Sequence, residues 1–490
     1  MKKRLLSLFL ALLMITGALL SCSQQTENAE EDTGAAPSQT SDAPAGENAG
    51  TEPVEEVKDD LPERNYNGAA YNIYTRSNTT HYAFLAEEMN GEVLNDAIYE
   101  RNLGVADRFN VAFTETEYSD EIMAQNNVQS GDDTFSLMNV RCTAADNMAK
   151  KRLVFDISTF QYIDLSKPYW DDELTRMIGV GDRQFTAIGS ADLTVIDFMN
   201  VLLFNKALHE QYGIENLYDA VREGRWTFDR FGEYAALATQ DVDGNGKYDK
   251  NDQWGMLGVA KYLHCSLIPA GGARYIGKDE KNYPYFALGD ERFTTVFEKI
   301  FAICNDNNAW YKTSDSSNEA TEYHNMFRNG QGFFLVTMFY YIESLRDMDY
   351  DFGILPFPKF DEQQENYESR ISFFDTSVIP VTVPDSEMSS IVLEALTCWS
   401  FNKVIPAYKD VALKSKFARD EDSSKMIDLI LEHRVIDFGD TYFADTIRDG
   451  FVAGMFVDDN RNLASQIKSR TKVINKQLEK MITSYEEGEE

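Results

Sequence analysis

Basic side chains are few: 46 Lys and Arg stand against 81 Asp and Glu, a formal net charge of −35 over 490 residues. Nucleic-acid binding needs clustered cations, so this balance counts against it, and it counts equally against an anionic membrane surface as the main partner. Histidine and cysteine are scarce, with five of each. That is too little for a His-rich metal enzyme or a disulfide-knot scaffold. Beyond the N-terminus no stretch reaches 18 uninterrupted apolar residues, so nothing in the body reads as a membrane span. Catalytic signatures are missing too. No G-x-S-x-G elbow occurs. The run from Gly272 to Asp279 has nucleotide-loop spacing but ends in Asp where magnesium binding needs Ser or Thr. What is present is an ordinary globular composition, 43% hydrophobic and 26% charged. Single cores stop growing near ~250–300 residues, so a chain of this length predicts two lobes.

Lys2, Lys3 and Arg4 precede an apolar run over residues 5–20, too short to span a bilayer and placed as an export signal. It ends Leu19-Leu20-Ser21-Cys22, which resembles a bacterial lipobox. This resemblance predicts lipidation of Cys22 after cleavage, with the less usual Leu20 at position −2. Residues 23–60 hold no aromatic residue, and their eleven carboxylates face Lys58 alone. Such a segment cannot bury a core and reads as a disordered acidic tether. The expected location is the extracytoplasmic face of the cell membrane. Cys142, Cys265, Cys304 and Cys398 remain; Cys304 and Cys398 fall on apolar helical faces, which favours buried free thiols.

The body alternates strand and helix patterns. Tyr71 and Ile73 alternate as a strand; Leu94, Ile98, Val105 and Phe109 recur at helical spacing; Val111 and Phe113, then residues 135–140, give further strands. The apolar run 194–204 and a strand over 332–341 follow, and Leu463, Ile467, Ile474, Leu478 and Met481 mark a long C-terminal helix. The class is α/β, with crossover units on mainly parallel sheets.

One loop has metal-ligand spacing. Asp241, Asp243, Asn245, Asp249 and Asp252 place oxygens at positions 1, 3, 5, 9 and 12, Gly246 permits the turn, and Lys247 offers its carbonyl. That wrap suits calcium in a structural role. Asp252 stands where an EF-hand has a bidentate Glu, so a lone site between two helical stretches is expected, with Trp254 placed to brace it.

Residues 225–231 (RWTFDRF), this loop with its flank at 241–255, and residues 351–367 (DFGILPFPKFDEQQENY) occur in order, with 168–170 and 202–208 upstream and 379–396 downstream. The set resembles the family 1 extracellular solute-binding proteins, carbohydrate-binding lipoproteins that feed ABC importers, over most of residues 66–485. The resemblance implies a two-lobed periplasmic-binding-protein-like (type II) fold with hinge crossings and a C-terminal helical segment. It divides the chain into a signal peptide (1–22), the tether (23–60), lobe 1 (61–192), lobe 2 (193–370), a return to lobe 1 (371–440) and C-terminal helices on lobe 2 (441–490). It implies a monomer that takes a sugar or oligosaccharide between the lobes and passes it to permease subunits, without catalysis. The alternatives are an exported lipoprotein hydrolase or lyase, and a ligand-sensing lipoprotein. Sugars present apolar faces and dense hydroxyls, so aromatic and planar polar residues near strand ends and crossings are the ligand candidates. These are Arg76, Arg141, Trp170, Asp192, Asp197, Tyr340, Tyr341, Phe374 and Asp375.

Overall fold

The computed structural model describes residues 56–76, 84–118, 120–313, 319–409 and 419–486. Cys22 and most of the expected tether lie outside these residues. Tether residues 56–60 are instead fastened to the body: Val57 and Asn402 exchange hydrogen bonds, and Arg108 Nη1 meets Asp59 at 2.7 Å. Their carboxylates find cations on the body, so self-repulsion no longer decides their state.

The first sheet has strands β1 (Ala69–Arg76), β2 (Val111–Tyr118), β3 (Leu137–Arg141) and β11 (Asp375–Val378), in the order β11-β3-β1-β2. β1 pairs parallel with β2 and β3, and β11 runs antiparallel to β3. Helix α1 (Val93–Phe109) buries Ile98, Val105 and Phe109 on its inner side and ends at Asn110 in the left-handed region. Helix α2 (Glu121–Gln129) is capped by Asp120, which accepts from Ile122 N, and α3 (Cys142–Lys150) follows β3 directly.

The second sheet has β4 (Asn200–Asn205), β5 (Trp254–Leu257), β8 (Gly332–Met338) and β9 (Phe352–Leu355), in the order β5-β8-β4-β9. β4 is antiparallel to both β8 and β9, so this sheet is mixed where a mainly parallel one was expected. Helix α4 (Phe228–Ala238) precedes β5 and α5 (Ala260–Ala270) follows it. The hairpin β6 (Ile276–Lys278) and β7 (Pro284–Phe286) lies beyond. The strand expected over 332–341 stops at Met338, and Phe339–Ile342 turns as a short helix.

Three passages join the lobes side by side. Met199 bridges Ile371, Ser372 N donates to Phe198 O at 3.2 Å, and β10 (Ser369–Arg370) pairs with β12 (Arg434–Val435). Helix α6 (Ser386–Trp399), capped by Asp385, packs on α1 of the first lobe. Helix α7 (Glu421–Glu432) does not join it: it packs on β9, and its cap Asp420 meets Lys206 of the second lobe at 2.6 Å. The return segment expected over 371–440 therefore already belongs to the second lobe at Asp420. Helices α8 (Phe438–Tyr442) and α9 (Leu463–Glu486) close the chain. α9 packs on β7 and also on α3, where Tyr485 Oη donates to Asp146 at 3.1 Å and its ring meets Phe185 edge-on at 5.0 Å. The C-terminal helices thus touch both lobes.

Among the described residues no helix is long and apolar enough to cross a membrane, and Cys142, Cys265, Cys304 and Cys398 are free and buried.

Candidate functional site

Parallel strands of an open α/β sheet present ligand-binding residues at their carboxyl ends. Arg76 closes β1 and Arg141 closes β3, and the antiparallel register sets Asp375 opposite Arg141. Arg76 Nη2 lies 3.2 Å from Asp375, and its Nη1 lies 3.7 Å from Glu121 in the first turn of α2. The same Glu121 oxygen lies 3.1 Å from Arg141 Nε. Two guanidiniums and two carboxylates form one network. Within it the Arg76 side chain is 12% exposed and that of Arg141 33%, so Arg141 is the one offered to a ligand.

An aromatic path leads from there to the other lobe. Arg141 lies over the Phe373 ring at 4.9 Å, Phe373 is 4.2 Å from Phe198, and Phe198 is 5.6 Å from Tyr340. Tyr340 meets Tyr341 edge-on at 5.1 Å, and Tyr341, 40% exposed, lies 5.6 Å from His324. Phe198 and Phe373 belong to two different passages, which bridge each other at Met199 and Ile371. The path therefore crosses the hinge region from wall to wall. β5 runs parallel to β8, whose carboxyl end leads to Tyr340, and where β5 gives way to α5 a cavity of about 310 Å³ is bordered by Lys261, Trp310, Lys312 and Asp449. Trp310 Nε1 donates to Gly258 O at 2.9 Å, which fixes the indole in that wall.

Arg76, Arg141, Asp375, Tyr340 and Tyr341 are brought together by this arrangement. The other candidates are placed differently. Phe374 is fully buried, because successive residues of an extended chain face opposite sides and its neighbour Phe373 takes the outer position. Trp170 is buried too, its Nε1 donating to Glu394 at 2.8 Å while Tyr169 Oη donates to the other oxygen at 2.5 Å. Asp192 accepts from Asn139 Nδ2 at 2.5 Å and Ser377 Oγ at 2.9 Å, fastening the first passage to the first sheet. Burial raises its carboxyl to about 7 against the pull of the Ser377 hydrogen bonds. Asp197 is buried and accepts from Tyr408 Oη. Trp170 and Asp192 border another cavity, of about 420 Å³, spanned by Arg434 and Asp171 at 2.7 Å. Its lining does not include the strand-end arginines.

Sequence reading missed Glu121, Phe198, Phe373, Lys261 and Trp310. Only Glu121 carried a local signal, since Asp120 before it is a recognisable helix cap.

The metal-like loop joins α4 to β5, a helix to a strand, where two helices were expected. Gly244 and Gly246 take φ of 69° and 77°, the left-handed region that side chains avoid, and this lets the loop curl inward. Carboxylate oxygens of Asp241, Asp243 and Asp252 lie within 4.8 Å of one another. Asp252, 1% exposed, accepts from Val242 N and Asp249 N; Asp241 accepts from Gly244 N and Gly246 N. Asn245 bonds Lys247 N and Asp243, and the Asp249 carboxylate accepts from Asn251 N. Trp254 does brace the loop, donating from Nε1 to Asp249 O at 2.8 Å and meeting Tyr248 at 5.8 Å. Converging hard oxygens fit calcium chemically.

No family model matches the sequence, and no curated protein matches it. Solved structures do match in shape. An ABC substrate-binding protein from Listeria monocytogenes in complex with cycloalternan is 14% identical, with a TM-score of 0.56 over 84% of this chain and 99% of its own. This chain has the two-lobed fold of the periplasmic-binding proteins. A sugar transporter from Rhizobium etli in an open conformation gives 14% identity and a TM-score of 0.57, over 83% and 99% of the two chains. The cyclic α-maltosyl-1,6-maltose binding protein from Arthrobacter globiformis gives 11% and 0.57, over 84% and 99%. These neighbours are described as binding or transport proteins.

Proposed function

We propose that the protein captures a sugar or oligosaccharide between its lobes and delivers it to the permease of an ABC importer. The observation that carries this reading is the arginine–aromatic path joining both walls across the passages, on a fold shared with sugar-binding proteins. Tyr340 and Tyr341 would offer ring faces to the sugar and Arg141 multidentate donors to its hydroxyls. A ligand held from both sides favours the closed arrangement because it gains contacts only there. The action is binding without turnover. A thermal-shift screen across mono- and oligosaccharides tests it, since a ligand that binds only the folded state raises the melting temperature. The expected result is a shift by at least one glycan, with no new reducing ends released; no shift by any glycan, or product formation, contradicts the reading.

Cys22 is the proposed lipid anchor, which would keep the captured sugar at the membrane. Cys22→Ser should move the protein from the membrane fraction to the soluble one; retention in the membrane refutes the anchor.

A further inference from the structure

A neutral sugar needs ring faces and hydrogen bonds but no net charge opposite it, and the chain as a whole carries −35. The second lobe's wall runs against that composition. Lys261, in the first turn of α5, and Lys312 border the 310 Å³ cavity together with the Trp310 ring, and Asp449 supplies a carboxylate to the lining. Asp449 is already occupied: Arg448 Nε and Nη2 donate to it at 2.6 and 2.9 Å. Behind it Asp440 receives Arg370 Nη2 at 2.8 Å and Arg448 Nη1 at 3.1 Å. Two arginines against two aspartates leave that network neutral. Lys261 has no ion pair among the described residues; its ammonium lies 5.4 Å from the Tyr262 ring centroid. Lys312 Nζ donates to the Val457 carbonyl, an uncharged partner in the same lining, and reaches a described carboxylate only at Asp459, 4.0 Å away, with the side chains 46% and 68% exposed. Exposed pairs at that distance hold each other weakly. On the opposite wall Arg76 and Arg141 are balanced by Asp375 and Glu121. Among the described residues of the two walls, the cations without a close carboxylate are therefore Lys261 and Lys312 at this cavity.

We propose that the ligand is an acidic oligosaccharide, whose carboxylate or sulfate sits between Lys261 and Lys312 beside Trp310. This rests on the glycan reading above and narrows it to a substrate class. In a strongly acidic protein, a confined cationic wall focuses an anionic ligand that the remaining surface repels, so charge here selects among glycans.

The test is titration calorimetry of the full chain with three probes of equal length: tetragalacturonate, a chondroitin 4-sulfate tetrasaccharide and maltotetraose. An acidic probe should bind at least ~10-fold more tightly than maltotetraose and weaken as sodium chloride rises from low to high, as screening requires. Tetragalacturonate binding identifies carboxylate; the chondroitin probe carries glucuronate carboxylates as well, so loss of its binding on desulfation identifies sulfate. Lys261→Gln and, separately, Lys312→Gln should each reduce that affinity and flatten its salt dependence, with melting temperatures unchanged. Maltotetraose binding as well as or better than both acidic probes overturns the proposal and leaves the glycan reading standing. Binding of no probe, together with no shift in the broader screen, overturns both. Acidic-probe affinity unchanged in both lysine variants removes this cavity as the seat.

Discussion

Glu394 is buried on α6 and accepts hydrogen bonds from Tyr169 Oη, Trp170 Nε1 and Asp164 N. Burial outweighs those bonds and raises its carboxyl to about 7, and Asp192 is raised to about 7 in the same way. Both folded values lie above the ordinary carboxylate values of 4.5 and 3.8. Between those values and about 7 the folded chain keeps protons that the unfolded chain has released. The stabilisation is complete below the unfolded values and is lost as pH rises through the folded ones. Melting temperature should therefore fall from pH 5 to pH 8, and Glu394→Gln, which mimics the protonated carboxyl, should flatten the fall. A variant with the same pH slope as wild type would show that Glu394 does not titrate in this range. This residue also shows where sequence reading stops. Trp170 looked like a platform because its partner lies 224 positions away, and no spacing rule reaches that far. Phe373 and Phe374 differ only by the alternation of an extended chain, whose phase is set by the passage they run in. Arg141 and Tyr341 were legible because strand ends locate the edge of a sheet.

Secondary elements were easier to read than their assignments to lobes. Alternation identified β1 and β2, and helical spacing identified α1 and α9. α7 went to the second lobe because Asp420 meets Lys206 and Tyr218 there, contacts over more than 200 positions. The loop before β5 was legible as a ligand pattern, and three of its carboxylates do converge. We propose that calcium fills it, held by Asp241, Asp243 and Asp252 with Asn245, the Lys247 carbonyl and Asp249 as further oxygens. Like charges this close repel one another unless a cation or amide donors balance them. Chelator should then lower the melting temperature of the wild type, and Asp243→Ala should melt lower and lose the sensitivity. Identical melting with calcium and with excess chelator would rule the ion out.

At the scale of the whole molecule, two sheets present their charged and aromatic edges to one another across three adjoining passages. β11 brings residues from the far end of the sequence back beside β3, so the first wall is assembled from segments more than 200 positions apart. α9 adds a contact to both lobes outside those passages, which any closing motion must accommodate. The central claim is that one glycan touches both walls. Titration calorimetry with the best glycan from the screen, on wild type, Arg141→Ala and Tyr341→Ala, tests it most directly. Removing a buried aromatic contact costs roughly 1–3 kcal/mol, about 5- to 150-fold in affinity. The account predicts a loss in that range for Tyr341→Ala and a clear loss for Arg141→Ala, with both variants folded as wild type. Wild-type affinity in either variant would contradict it.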